Sequence, residues 1–237
     1  MKLCTLETGL PPENLIPQFG TYPQMIEAWL SPHLPEARFY AVSAVQGETL
    51  PAPETYDGYL LTGSRHGIYD DFEWIASLRD FLVAAKGAGR PIFGICFGHQ
   101  IMAEAFGGKA VKSDRGWGVG AHSYHYDRGA GPKDGPSFVF HQDQVVEVPP
   151  AAEIIGSADH CPVGALAYDF PALSVQHHPE FSEAYLAELL NLRGNSVLPA
   201  DVTQEARTSL VEKSVDNEPV AQWAAEFFRK SLAQKAA

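Results

Sequence analysis

The sequence predicts an α/β fold of three layers, with a mixed, mostly parallel central sheet carrying helices on both faces, and three observations predict it. Short apolar runs alternate with helical patterns through the first hundred residues, as parallel strands buried on both faces do. After residue 110 the runs crowd together, which indicates hairpins and makes the sheet mixed. The last third returns to helical spacing. A chain of 237 residues that is 45% hydrophobic can fill such a core. With no internal repeat and no low-complexity linker, residues 1–237 are expected to form one domain.

The first strands are expected at residues 2–6, 39–45, 58–62 and 91–95. Between the third and fourth, Trp74, Ile75, Leu78, Phe81, Leu82 and Ala85 share one helical face, with Asp70 or Asp71 available to cap the start and Gly87 to end it. The fourth strand runs into a helix that continues through Ile101, Met102, Ala103 and Phe106 to a stop at Gly107-Gly108. Later strands are expected near residues 118–126, 138–140, 153–155, 163–168 and 173–176, and the Gly and Pro cluster at 128–136 reads as a surface loop. Val220, Trp223, Ala224, Phe227, Phe228 and Leu232 keep the i, i+3, i+4, i+7 rhythm of a closing helix.

Charge and composition exclude several classes of function. Lys and Arg number 17 against 29 Asp and Glu, a net charge of -12, and no basic block could track a phosphate backbone, so nucleic acid is not an expected partner. No apolar run approaches the length of a membrane span, and the N-terminus lacks the apolar continuation of a signal peptide, so a soluble cytoplasmic protein is expected, without a membrane partner. Three cysteines at wide spacing, Cys4, Cys96 and Cys161, suit neither a disulfide framework nor a structural zinc site. His122 and His125, three apart in a strand, would not share a face. No metal and no cofactor is expected.

The run Gly94-Ile95-Cys96-Phe97-Gly98-His99-Gln100 joins strand to helix with Cys96 at the turn. In a G-x-nucleophile-x-G elbow the nucleophile is held in a strained conformation, and the residues two before and two after must be small because strand and helix approach closely. The helix N-terminus favours a thiolate there. Taken alone, Cys96 could also be a buried strand-end cysteine between two packing glycines. A second motif decides the matter: Leu173-Ser174-Val175-Gln176-His177-His178-Pro179-Glu180 ends an apolar strand in a histidine and a carboxylate. Residues two apart in an extended chain point the same way, and Pro179 keeps His178 extended, so the Glu180 carboxylate can reach the His178 imidazole. A base oriented by an acid is what a thiol nucleophile requires. His177 faces the other way and reads as a packing or hydrogen-bonded residue.

Together these two motifs resemble the signature pair of the class I, triad-type glutamine amidotransferases, in the order nucleophile, His, then Glu two residues later. The resemblance spans residues 60–180. It implies that family's flavodoxin-like fold and the release of ammonia from a glutamine side chain, with Cys96 as nucleophile, His178 as base and Glu180 as its partner. It implies an oxyanion hole made by the Phe97 N–H and an N–H of the turn Leu61-Thr62-Gly63-Ser64-Arg65, supplied by Gly63 or by Ser64; the family often has two glycines and a proline in that turn, so Ser64 and Arg65 depart from it. Gln100 resembles the residue that holds the amino-acid end of the bound glutamine. Phe140-His141-Gln142-Asp143-Gln144-Val145 resembles the family's Ser-His-x-Asp-x-Val loop, with Phe140 in place of the Ser, and so implies substrate contacts at His141 and Asp143.

No G-x-x-x-x-G-K-[ST] run for an ATP site is present, so only a glutaminase half is expected here. Three readings follow for a ligand that is glutamine or another γ-glutamyl small molecule: a glutaminase subunit serving a separate synthetase, a free-standing hydrolase of γ-glutamyl peptides, or a non-catalytic binding module.

Overall fold

A computed structural model describes residues 1–127, 129–194 and 196–235. In chain order the elements are β1 (Lys2–Glu7), α1 (Ile16–Phe19), α2 (Tyr22–Leu30), β2 (Arg38–Ser43), β3 (Gly58–Leu61), α3 (Glu73–Gly87), β4 (Ile92–Ile95) and α4 (Phe97–Ala105). The second half holds β5 (Lys109–Lys112), β6 (Gly118–Tyr126), β7 (Gly135–His141), β8 (Asp143–Glu147), β9 (Ala152–Ala158), β10 (Cys161–Tyr168), β11 (Ala172–Val175), α5 (Glu183–Arg193), α6 (Ala200–Glu212) and α7 (Glu218–Lys235).

The mixed, mostly parallel sheet has the order β2-β1-β3-β4-β11-β10-β9-β6-β7. From β2 to β11 all neighbours pair in parallel, and from β11 to β7 all pair antiparallel. Alternation along the parallel strands sorts their side chains between two cores. Cys4, Leu6, Tyr59 and Leu61 pack under α3 and α4. Leu3, Leu60, Phe93 and Ile95 pack on the other face against α2 and α7, where Ile26, Leu30, Ala224 and Phe228 are fully or almost fully buried. The expected three layers are therefore present, and β4 and β11 lie side by side at their centre.

Several local expectations are corrected. Neither Asp70 nor Asp71 caps α3: its N-cap is Phe72, with no side-chain cap, while Asp70 is committed within the preceding loop, accepting from the Gly67 N–H at 3.1 Å and facing His66 at 3.5 Å. The 128–136 cluster ends inside β7, which begins at Gly135; Arg128 lies outside the described residues. β5 and β8 form a separate two-stranded antiparallel ribbon. The sequence reading places no element at α2, yet Thr21 and Gln24 form a reciprocal capping box and a Pro occupies the first turn, a start signal legible in the sequence.

Candidate functional site

The strand β4 ends at Ile95, and the chain turns through Cys96 at φ 52°, ψ -101°. Among the described residues Cys96 is the sole non-glycine with positive φ, a conformation that costs on the order of 1–3 kcal/mol and persists only where the surroundings enforce it. Here they do. The Cys96 N–H donates to the Val175 carbonyl at 2.9 Å, the Gln100 N–H to the Cys96 carbonyl at 3.1 Å, and the Gly98 N–H to the Thr62 carbonyl at 3.2 Å. The two glycines are sterically required: a Cβ at Gly94 would lie 2.7 Å from the Gly98 backbone, and one at Gly98 would lie 2.7 Å from Leu61 Cβ. On the buried side of α4, His99 ties the helix to the sheet through Ser174 Oγ at 2.8 Å and the Val163 carbonyl at 3.1 Å. Burial holds it neutral, down at about 4.

β11 ends at Val175, and residues 176–180 continue without strand pairing. Alternation still carries through. Gln176 and His178 face the elbow: Gln176 Oε1 accepts from Gln100 Nε2 at 3.2 Å, and the His178 imidazole and Cys96 both stand against Gly63, near enough for the thiol to raise the ring. His177 points to the opposite face, where its Nε2 lies 2.6 Å from the Tyr126 hydroxyl, so the expectation for it holds. His178 Nδ1 lies 2.7 Å from Glu180 Oε1, with the two side chains 5% and 1% exposed, and Phe181 lies flat on the imidazole at 4.0 Å between centroids, 8° between planes.

These neighbours make adjacent histidines electrostatic opposites. Burial lowers His177 to about 3, and the neighbouring His178 adds to that. At His178 burial also opposes the charge, but the Glu180 carboxylate and the Cys96 thiol outweigh it and raise the ring to about 10.

Above the elbow lies the turn that follows β3. Thr8 and Thr62 hydroxyls both donate to the Gly63 carbonyl, at 3.2 and 3.0 Å, while Gly63 itself faces the site: a Cβ there would stand 2.6 Å from His178 Cε1 and 3.6 Å from Cys96 Cβ. Among the described residues the Phe97 and Ser64 N–H groups have no hydrogen-bond partner.

Cys96 and His178 open into a cavity of about 480 Å³ that also takes in Gly63, Ser64, Gln100, His141 and Asp143. Seven of the nine expected site residues therefore line one cavity. Phe97 is buried behind the elbow and Glu180 behind His178. Gln100 Nε2 donates to the Asp143 carbonyl at 2.9 Å, which also receives His141 Nδ1 at 3.2 Å. Asp143 opens β8 directly after a tight turn from β7, and its carboxylate accepts from the Tyr69 hydroxyl at 3.2 Å. Burial raises Asp143 from its ordinary value, with the Tyr69 bond and Lys112 opposing. Sequence reading did not single out Lys112, Arg193, Phe181 or Trp117 as site residues, and all four line the cavity; the segment 68–74 after the oxyanion turn, readable either as shaping the pocket mouth or as capping a helix, contributes Tyr69 and Asp70 to the lining. Among the described residues no group of three or more His, Cys, Asp or Glu could hold a metal ion. None of the described helices is long and apolar enough to cross a membrane.

Comparison with known proteins bears on this arrangement. Residues 44–190 match the family described as glutamine amidotransferase class-I. The chain is 28% identical over 181 residues to gamma-glutamyl peptidase 5 of Arabidopsis thaliana, covering 72% of this chain and 71% of that protein. It is 36% identical over 139 residues to the glutamine-hydrolyzing GMP synthase of Listeria innocua, covering 56% of this chain and 26% of that protein. The crystal structure of a glutamine amidotransferase from Methylobacillus flagellatus shares the fold, with a TM-score of 0.76 at 19% identity over 99% of this chain and 94% of the other.

Proposed function

We propose, from the premise that this chain belongs to the class I glutamine amidotransferase family, that it hydrolyses γ-glutamyl amides through a thioester on Cys96. The observation that carries the reading is the conjunction at the cavity floor. A cysteine held at positive φ opens a helix beside an imidazole that a buried carboxylate orients.

In this reaction Cys96 Sγ attacks the γ-carbonyl carbon while its proton is held on His178. The carbonyl oxygen becomes an oxyanion. The Phe97 N–H faces it from the start of α4. Of the two candidates in the other turn, Ser64 is the better donor: the Gly63 carbonyl is fixed towards Thr8 and Thr62, and in a trans peptide the following N–H points the opposite way. Collapse of the intermediate breaks the C–N bond as the His178 proton passes to the leaving amine. Water then attacks the thioester carbonyl, His178 taking its proton, and the C–S bond breaks to give glutamate and free Cys96. Glu180 keeps the imidazole oriented and stabilises its charge. Gln100, His141 and Asp143 shape the recess for the amino-acid end, where the Asp143 carboxylate suits an α-ammonium. Residues 1–237 act in this reading as one domain, supported by the packing of α7 against β3 and β4 side chains.

Two substrates differ only in the leaving group. A cavity of about 480 Å³ falls in the range of sites for drug-sized ligands and exceeds what free glutamine fills, which favours a γ-glutamyl peptide. The likeness to GMP synthase favours the second reading, a glutaminase that supplies ammonia to a separate synthetase. Steady-state kinetics with glutamine and with γ-glutamyl dipeptides separate them. Dipeptide turnover at least 10-fold above that of glutamine is expected, and rapid turnover of glutamine alone would overturn the peptidase reading. A glutamine-mimicking diazo-oxo norleucine is expected to label Cys96 and spare Cys4 and Cys161, whose thiols burial pushes up to about 12. Mass spectrometry that finds label on all three would remove Cys96 as nucleophile.

A further inference from the structure

The leaving amine departs next to the imidazole that protonates it, so it meets the wall on the His178 side of the cavity. That wall is apolar at first. Phe181 covers the imidazole, Tyr22 stacks on Phe181 at 6.0 Å between centroids, and Leu189 continues the lining along α5. One turn beyond Leu189, on the same face of the helix, stands Arg193, half-buried and lining the same cavity. Its guanidinium has no ion pair or hydrogen bond among the described residues. The other charges of the cavity are engaged or lie elsewhere: Asp70 faces His66, Asp143 accepts from Tyr69, and Lys112 sits opposite Asp143 in the β5–β8 ribbon, at the amino-acid end. Arg65 is exposed in the turn after β3.

We propose that Arg193 binds a carboxylate at the far end of the leaving group, so that the preferred substrate is a γ-glutamyl peptide whose leaving amine is apolar beside the scissile bond and anionic at its end. The helix supplies the length. From the Ser182 cap to Arg193 the axis advances roughly 16 Å, and an arginine that leans back towards the helix N-terminus shortens this to roughly 10 Å, which about three extended residues cover. A leaving group of about three residues therefore brings its terminal carboxylate to the guanidinium, and a single residue falls short.

This inference rests on the reading that the chain cleaves γ-glutamyl amides, and the experiment keeps the two apart. The probes are γ-Glu-Phe-Gly-Gly with a free C-terminus and the same peptide as its C-terminal carboxamide, with glutamine alongside. The free acid is expected to exceed the carboxamide in kcat/KM by about 10- to 100-fold, the range of a charge-assisted hydrogen bond, with most of the difference in KM. In Arg193→Gln that ratio is expected to collapse to near one. Arg193→Lys should restore part of it, since a point charge replaces the bidentate fork, and Lys112→Gln should preserve it. Equal kcat/KM for acid and carboxamide in the wild type, a ratio that survives in Arg193→Gln, or one that vanishes in Lys112→Gln overturns the assignment while the hydrolase reading stands. If neither peptide is cleaved and glutamine is, the peptidase reading falls and takes this inference with it.

Discussion

The floor of the cavity and its wall are built in different ways. The floor comes from two short segments, 94–98 and 176–181, held by backbone bonds to neighbouring strands and by glycines that allow no side chain. The wall gathers Tyr69 from a loop, Gln100 from α4, Lys112 from β5, Asp143 from β8 and Arg193 from α5, and of these only Tyr69, Gln100 and Asp143 are joined by hydrogen bonds among the described residues. Chemistry is thus fixed by local backbone geometry, and recognition by contacts between distant segments. Changes to the floor should reduce kcat steeply; changes to the wall should act on KM and weakly.

The comparison predicts its largest effect at a residue with no functional group. A methyl at Gly63 would stand 2.6 Å from His178 Cε1, and the imidazole would have to move off its line to Cys96. Because a placed proton-transfer group contributes about 100- to 10,000-fold, Gly63→Ala is expected to lose on the order of 1,000-fold in kcat, read by steady-state kinetics. A loss confined to KM would mean that this turn belongs functionally to the wall.

Next in size is Glu180→Gln, expected to lower kcat about 100-fold, since orientation is weakened while the base remains. Its pH profile carries more information. The raised folded value of His178, about 10, means that the charged ring and the stability it contributes are fully present below the ordinary value near 6.5 and are lost as pH rises through about 10. Removing the carboxylate removes a raising influence, so the alkaline limb of kcat/KM should shift to lower pH in Glu180→Gln. An unmoved limb would show that another group controls it.

How much of this was legible in the sequence follows the same division. Strand-end glycines around Cys96 and the His178-Pro179-Glu180 step have local steric meaning, so the elbow, the triad geometry and the opposite facing of His177 could be read directly. Parallel strands at β1, β3 and β4 showed as continuous apolar runs. The Asp70 cap failed because a loop competed for its carboxylate, and the capping box of Thr21 and Gln24 was overlooked. Lys112 and Arg193 carry no local signature at all, and Tyr69 only its place after the oxyanion turn. Their meeting depends on the β5–β8 ribbon and the course of α5, which only the folded chain brings together.

The smallest expected effect tests the wall itself. The Tyr69 side chain is 56% exposed, so its hydrogen bond to Asp143 competes with water and contributes about 1 kcal/mol or less, equivalent to roughly 5-fold. Tyr69→Phe is therefore expected to raise KM about 3- to 5-fold with kcat unchanged. The phenol also opposes the upward push of burial on Asp143. Without it Asp143 takes up a proton at higher pH, and a protonated carboxyl no longer attracts an α-ammonium. The KM penalty of Tyr69→Phe should consequently grow as pH falls, whereas a purely steric role for the ring would leave the ratio of mutant to wild-type KM flat across the range. KM measured for both proteins at descending pH distinguishes the two, and a drop in kcat instead of a rise in KM would place Tyr69 with the floor.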